Sequence, residues 1–294
     1  MKILNYGSMN IDIVYSVPHI VRPGETISSN RVQQFAGGKG ANQSVALAKA
    51  GAEIWHAGKI GEDGDWLLGK LNSYGVKTDL IRKYEGSTGQ AIIQVTAEAE
   101  NSIILYGGGN QNIKKEEILE TFSHFEEGDY LVLQNEINHM PLIIETARNK
   151  GMKICLNPAP FDDSINSWPL NLVDILIVNE LEAEGLAGIK GSFEEILDHL
   201  TKQYANMDIV MTVGEAGAYY GRNEIREHMP IIKTKAVDTT AAGDTFLGFY
   251  LASRIDGLDV KESMKRASRA SSITVSRPGA MDSIPVVSEI EQPR

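Results

Sequence analysis

Residues 130–157, YLVLQNEINHMPLIIETARNKGMKICLN, read as a short apolar run (Tyr130–Gln134), a stretch of helical period (Pro141–Lys150) and a second apolar run (Lys153–Asn157). A strand, a helix and a strand in that order form a crossover unit, which joins parallel neighbours in one sheet. The same alternation extends in both directions. Strands are expected at Lys2–Tyr6, Glu53–Gly58, Ile175–Val178 and Asp208–Val213 as well. Helices are expected at Gly40–Ala50, Asp65–Tyr74, Lys114–Phe122, Ser192–Tyr204, Gly243–Arg254 and Val260–Ser276. The expected fold is α/β, with a central, mostly parallel sheet flanked by helices. Two stretches, 13–36 and 86–106, break the rhythm: they lack helical period yet hold β-branched segments such as Ala91-Ile92-Ile93-Gln94-Val95-Thr96. They read as insertions that build a small extra sheet on a single domain spanning residues 1–294. Residues 217–235 read as a hairpin and a further strand, turning at Gly221-Arg222-Asn223.

Composition narrows the function. The 294 residues include 28 Lys and Arg against 39 Asp and Glu, a net charge of −11, which disfavours nucleic acid or an anionic membrane as a broad electrostatic partner. Any bound phosphate must be held locally. A single cysteine, Cys155, forms no internal disulfide and sits in an apolar run, as a buried small residue does. No apolar stretch approaches the roughly 18 residues of a membrane span, and the amino end reads as a strand without the apolar region of a signal peptide. A cytoplasmic protein is expected. The common phosphate loop, the dinucleotide G-x-G-x-x-G, H-E-x-x-H and G-x-S-x-G are all absent; Gly38-Lys39-Gly40-Ala41-Asn42-Gln43 lacks the third glycine and does not directly follow the first strand.

What remains are small-residue segments at helix starts. Val237-Asp238-Thr239-Thr240-Ala241-Ala242-Gly243-Asp244-Thr245-Phe246 leads into a helix that is apolar on nearly every side. A buried helix presents free N–H groups at its amino end and attracts anions there; Asp244 could take a proton from a hydroxyl placed beside such an anion. A plain N-cap satisfies the same residues. Ala36-Gly37-Gly38-Lys39-Gly40-Ala41-Asn42-Gln43 also opens a helix, with glycines that admit close approach and Lys39 and Asn42 as donors; a flexible turn is the other reading. Asn10 and Asp12 follow the first strand, where a parallel sheet holds ligands or where a local turn forms. Asn179 and Glu182 have the spacing of a capping box, and Glu182 equally that of a carboxylate beside hydrated Mg²⁺. Thr212-Val213-Gly214-Glu215-Ala216-Gly217 ends a strand in a tight turn that suits a nucleotide's edge or a hairpin entry.

In their order along the chain, GSMNID (7–12), GGKGANQ (37–43), GGGN (107–110), LNPAP (156–160), NELE (179–182), TVGEAG (212–217), DTTAAGD (238–244) and SRPGA (276–280) resemble the ribokinase-like (PfkB) family of sugar kinases over essentially the whole chain. The resemblance implies a small β-sheet lid over a sugar site, which the two insertions supply. It implies Asp244 as the base toward the sugar hydroxyl and the backbone of Ala242 and Gly243 as an anion hole. Asn10, Asp12, Gly38, Lys39, Asn42 and Glu136 would hold the sugar; Asn179, Thr212, Gly214, Gly217, Gly243 and Ser268 would line the ATP site. Glu182 would position Mg²⁺ through water, and Asp238, Thr240, Thr274, Arg277, Gly279 and Ser283 would surround K⁺, largely through backbone oxygens. Ala241 departs from the commonest family motif, which has glycine there. The implied reaction is ATP-dependent phosphorylation of the 5-hydroxyl of D-ribose, with deoxyribose, a nucleoside or another sugar as alternative acceptors and a non-catalytic sugar or nucleotide sensor as the alternative of another class. A homodimer joined through the lids is expected, because an isolated sheet with apolar residues such as Ile92, Ile104 and Leu105 needs cover.

Overall fold

A computed structural model describes residues 1–98 and 100–291. Its strands are β1 (Ile3–Tyr6), β2 (Asn10–Ser16), β3 (Arg31–Gly37), β4 (Ile54–Ile60), β5 (Lys77–Lys83), β6 (Gly89–Val95), β7 (Asn101–Tyr106), β8 (Tyr130–Gln134), β9 (Lys153–Asn157), β10 (Ile175–Asn179), β11 (Asp208–Thr212), β12 (Ala218–Arg222) and β13 (Ile225–Met229). Its helices are α1 (Lys39–Lys49), α2 (Asp65–Ser73), α3 (Lys115–Phe122), α4 (Met140–Asn149), α5 (Glu180–Ala187), α6 (Phe193–Gln203), α7 (Ala242–Ile255), α8 (Val260–Thr274) and α9 (Val287–Glu291). Nine strands form one sheet in the order β13-β12-β11-β10-β9-β8-β1-β4-β5. It is parallel from β11 to β5, with β1 in register between β8 (Ile3 opposite Tyr130) and β4 (Ile3 opposite Ile54). β12 and β13 continue it as an antiparallel edge.

The strands are continuous apolar runs because both faces of a parallel sheet are covered, and successive side chains point to opposite faces. Ile3, Val132, Cys155, Ile177 and Val210 pack toward α1, α2, α7 and α8. Their neighbours Leu4, Leu131, Leu156, Leu176 and Ile209 pack toward α3, α4, α5 and α6. Cys155 is buried, and burial pushes its thiol well above the ordinary range. Helices α1 and α7 approach so closely that a Cβ on Gly248 would lie 2.4 Å from Cβ of Ala46. That contact sets the separation of the two helix starts that the sequence singled out.

The lid is a four-stranded sheet ordered β3-β2-β6-β7, with the central β2–β6 pair parallel and the outer pairs antiparallel. Its first strand begins at Asn10 and not at residue 13, so Asn10 and Asp12 belong to the lid itself. Val32, Phe35, Ile92, Ile103, Ile104, Leu105 and Tyr106 are exposed. Four details differ from the sequence reading. The hairpin turns at Asn223 and Glu224, leaving Gly221 inside β12, and residues 231–236 form no strand. β5 was not anticipated: Lys77, Asp79, Arg82 and Lys83 mask its period because it is an edge strand, where charge protects unpaired backbone groups. α9 was also missed, since five residues carry too little period to read.

Candidate active site

Helix α7 runs into the protein. Phe246, Leu247, Phe249, Tyr250 and Leu251 are all buried, while its amino end, where Gly243 is exposed, opens on a cleft. Ala241 caps it at φ 60°, the left-handed region in which glycine is unstrained and alanine costs about 1 kcal/mol. Ala242 N–H donates to the carbonyl of Thr239 (3.2 Å) and Thr245 N–H to that of Ala241 (2.8 Å). Between them, the N–H groups of Gly243 and Asp244 find no backbone acceptor among the described residues. No Cβ stands over Gly243, and one added there would meet nothing within 4 Å, so an anion has room to reach these donors.

The Asp244 side chain, 8% exposed, is held by α1. Asn42 Nδ2 donates to its Oδ2 (3.1 Å) and Gln43 Nε2 to its Oδ1 (3.0 Å). α1 can stand this close because Gly40 packs on β1's end: a Cβ there would lie 2.4 Å from the Ser8 nitrogen. Glu136, just beyond β8, accepts from the Ser8 hydroxyl and from Lys39 N–H (3.0 Å). Burial raises the Glu136 carboxyl above its ordinary value, although the Ser8 hydroxyl and the Lys39 charge and amide pull it down. Burial pulls the Lys39 ammonium down, but the charges of Asp244, Glu136 and Glu182 outweigh this and hold it above its ordinary value. Lys39 is therefore the cation whose charge is held by these carboxylates.

Asn10, Asp12, Gly38, Lys39, Asn42, Glu136 and Asp244 thus converge where the lid meets the sheet. Asn110, which the sequence reading quoted only inside GGGN, joins them: its Oδ1 accepts from Met9 N–H (3.0 Å) and its Nδ2 donates to Asn10 Oδ1 (2.7 Å). On the other side of α7's amino end lies a cleft of about 660 Å³. Thr212, Gly214, Gly217, Gly243 and Ser268 line it, together with Phe246 of the apolar helix and with Ile231, Lys233, Ser272 and Val275, which the sequence did not single out. Asn179 is not among its lining residues. That side chain and Glu182 instead form a reciprocal capping box at the start of α5, with Asn179 Oδ1 accepting from Glu182 N–H (2.9 Å) and Glu182 Oε2 accepting from Asn179 N–H (3.0 Å). Burial raises the Glu182 carboxyl, and the Asn179 N–H bond and the Lys39 charge oppose the rise.

Asp238 ties two loops together: Oδ1 accepts from Thr240 N–H and Oδ2 from Gly279 N–H, each at 2.9 Å. Thr274 is buried at the end of α8 and bonds Thr245 through their hydroxyls (3.1 Å). Arg277 pairs with Glu289 through its guanidinium, and Ser283 donates to the Ala280 carbonyl (2.7 Å). Asp238 and Thr240 belong to the loop that leads into α7, Gly279 is tied to it through Asp238, and Thr274 meets the helix's first turn through Thr245; Arg277 and Ser283 make the bonds just given, neither of them to this loop. Among the described residues, no group of three or more His, Cys, Asp and Glu is placed to hold a metal ion.

Burial pushes the Asp12 carboxyl up to about 7, and the Glu136 charge adds to the rise. Since this lies above the ordinary 3.8, the folded protein binds the proton more tightly than the unfolded chain. The ionised group therefore costs stability progressively as pH rises from about 4 to about 7, and by a constant amount above that. Asp12→Asn is expected to raise the Tm of the ligand-free protein more at pH 8 than at pH 5. Equal changes in thermal melts at the two pH values would contradict a buried, charge-crowded Asp12.

Comparison with known proteins gives the family. A family model described as pfkB family carbohydrate kinase matches residues 1–287. The chain is 36% identical to the ribokinase of Staphylococcus aureus (strain COL), with 99% of each chain covered. It is 29% identical to the deoxyribokinase of Salmonella typhi, with 99% of this chain and 98% of that one covered. Among solved structures it is similar to Arabidopsis thaliana ribokinase complexed with ribose and ATP, at a TM-score of 0.86 and 28% identity over 98% of this chain and 96% of that one. A family match over nearly the full length, on a lid, a cleft and an acid placed at one helix start, means that the chain belongs to the pfkB family of carbohydrate kinases.

Proposed function

We propose that the protein transfers the γ-phosphoryl group of ATP to the 5-hydroxyl of D-ribose, giving ribose 5-phosphate and ADP. The observation that carries this reading is the position of Asp244, in the first turn of α7 between the lid-side cluster and the 660 Å³ cleft, next to the acceptor-free N–H of Gly243. The cleft is the place for the nucleotide, with its phosphates directed at the helix start. The sugar lies under the lid, its hydroxyls met by Asn10, Asp12, Lys39, Asn42 and Glu136. Asp244 accepts the proton of the attacking hydroxyl, and the acceptor-free N–H groups of Gly243 and Asp244 receive the charge on the phosphoryl oxygens, whereas Ala242 N–H, which the family resemblance adds to the anion hole, is given to the Thr239 carbonyl. The closer relation to the ribokinase than to the deoxyribokinase, 36% against 29% identity, supports ribose as the acceptor. Deoxyribose is the second reading.

Glu182 fits a role toward Mg²⁺ through water. Its carboxylate is oriented by Asn179 N–H, Asn179 Nδ2 (2.9 Å) and Asn157 Nδ2 (3.3 Å), and a cation that keeps its waters needs few protein ligands. When bound, Mg²⁺ neutralises phosphate charge. For K⁺, Asp238 already draws the 238–240 and 277–279 loops together, so backbone oxygens of Asp238, Thr240, Thr274, Arg277 and Gly279, with Ser283, are the donors. A cation there steadies the loop entering α7. The exposed apolar side chains of the lid, Val32, Phe35 and Ile103 to Tyr106, support a homodimer through the lids. A cytoplasmic location accords with the use of ATP and with the buried, unpaired Cys155. No helix of the described residues is long and apolar enough to cross a membrane.

Asp244→Asn tests the base. It is expected to fold and bind ATP while turnover with D-ribose falls by roughly 10²–10⁴-fold in a coupled ADP assay. Retention of more than about a tenth of the rate would reject the role, since a positioned base contributes far more than that. With Mg²⁺ present, K⁺ is expected to raise the rate and Na⁺ to raise it less; equal rates with and without K⁺ at matched ionic strength would remove the cation site. Ile104→Asp is expected to weaken self-association and to raise the KM for ribose more than that for ATP. Sedimentation of the wild-type enzyme as a monomer at assay concentration with full ribose affinity would separate assembly from sugar binding.

A further inference from the structure

Behind Asp244 and Glu182 runs a row of side-chain amides whose direction is imposed from both ends by backbone carbonyls, which only accept. At one end Asn5 Nδ2 donates to the carbonyl of Gly40 (2.8 Å) and to Ser44 Oγ (2.9 Å). Asn5 Oδ1 must therefore accept, and it does so from Gln134 Nε2 (3.0 Å), whose second proton goes to Gln43 Oε1 (2.7 Å). With its oxygen taken, Gln43 turns Nε2 outward, to Asp244 Oδ1 (3.0 Å) and Asn157 Oδ1 (3.1 Å). At the other end Asn157 Nδ2 donates to the carbonyl of Ile177 (2.9 Å) and to Glu182 Oε2 (3.3 Å).

Every amide proton in the row has an acceptor, and turning over any one amide would bring two oxygens together. Asn5, Gln43 and Gln134 are buried. The row also carries a cost, because Gln134 Oε1 is buried without a partner. An arrangement that leaves an acceptor orphaned while aiming donors at two carboxylates serves those carboxylates. We infer that Gln134 and Gln43 are positioning residues: Gln134 sets the amide of Gln43, and Gln43 sets the direction of the Asp244 carboxylate. The inference rests on Asp244 being the base.

Gln134→Met removes the donor at similar volume and leaves Gln43 Oε1 without its partner, so that Gln43 is held only through Asp244 and Asn157. The single-turnover rate of phosphoryl transfer at saturating D-ribose and ATP is expected to fall about 10- to 100-fold, as for a reacting group misplaced by a fraction of an ångström. KM for both substrates is expected to stay within about twofold, because binding contacts are untouched. Ser44→Ala is the structural control: Asn5 keeps its bond to the Gly40 carbonyl and hence its orientation, so the rate stays at the wild-type value even where Tm falls. Should Gln134→Met not fold, Gln134→Glu keeps the shape, sets acceptors against Asn5 and Gln43, and carries the same expected loss. A wild-type rate in the Gln134 variants, or an equal loss in Ser44→Ala, overturns the positioning role while an inactive Asp244→Asn leaves the base in place. An active Asp244→Asn removes the base, and the purpose of the row with it.

Discussion

The amino end of α7 is anchored by the buried, largely apolar helix behind it, and its first N–H groups have no acceptor within the helix, so they must find partners elsewhere. Most of the site answers that constraint. The close contact of Gly248 with Ala46 brings α1 alongside, so that Asn42 and Gln43 reach Asp244. Ala241 accepts a left-handed backbone so that the chain can turn into the helix where it does. A transferring phosphoryl group supplies the missing acceptor, so the helix start is most completely satisfied with a phosphate against it.

Charge is handled by the same economy. Glu136, Glu182 and Asp244 act on Lys39, and burial raises the carboxyls of Glu136, Glu182 and Asp12. Lys39 opposes the rise of Glu136 and Glu182, and fixed amides and hydroxyls take over the part that water plays elsewhere. On Asp12 only burial and the Glu136 charge act, and both push its carboxyl up, to about 7. On the proposed reading, the sugar hydroxyls that Asp12 meets are donors that would restore the balance.

The sheet decides where these groups meet. The chemistry-bearing segments after β1, β8, β9, β10 and β11 leave the carboxyl ends of parallel strands, and adjacent strands place their exits side by side. The lid strand β2 follows directly from β1, which carries Asn10 and Asp12 over the same edge.

Much of this was legible from residue spacing. The alternation of apolar runs and helical periods gives the sheet and its helices, and the small-residue helix starts at Gly40 and Gly243 are local patterns that backbone geometry enforces on any chain. Asp244, Lys39 and Glu182 stand in such patterns, so they could be singled out and, with the family resemblance, assigned roles. Asn5, Gln134 and Asn110 could not. Asn5 and Gln134 are polar residues in apolar strands, 129 positions apart, and Gln134 meets Gln43 across 91. Asn110 reaches back 100 positions to Asn10. The edge strand β5 was hidden for the opposite reason, because the charges that protect its free side erase the period that would reveal it. The sequence determined which segments become strands, helices and helix starts, since those depend on neighbours a few residues away. Only the tertiary structure decided which polar groups face one another, because that depends on strand order and register between segments far apart in the chain.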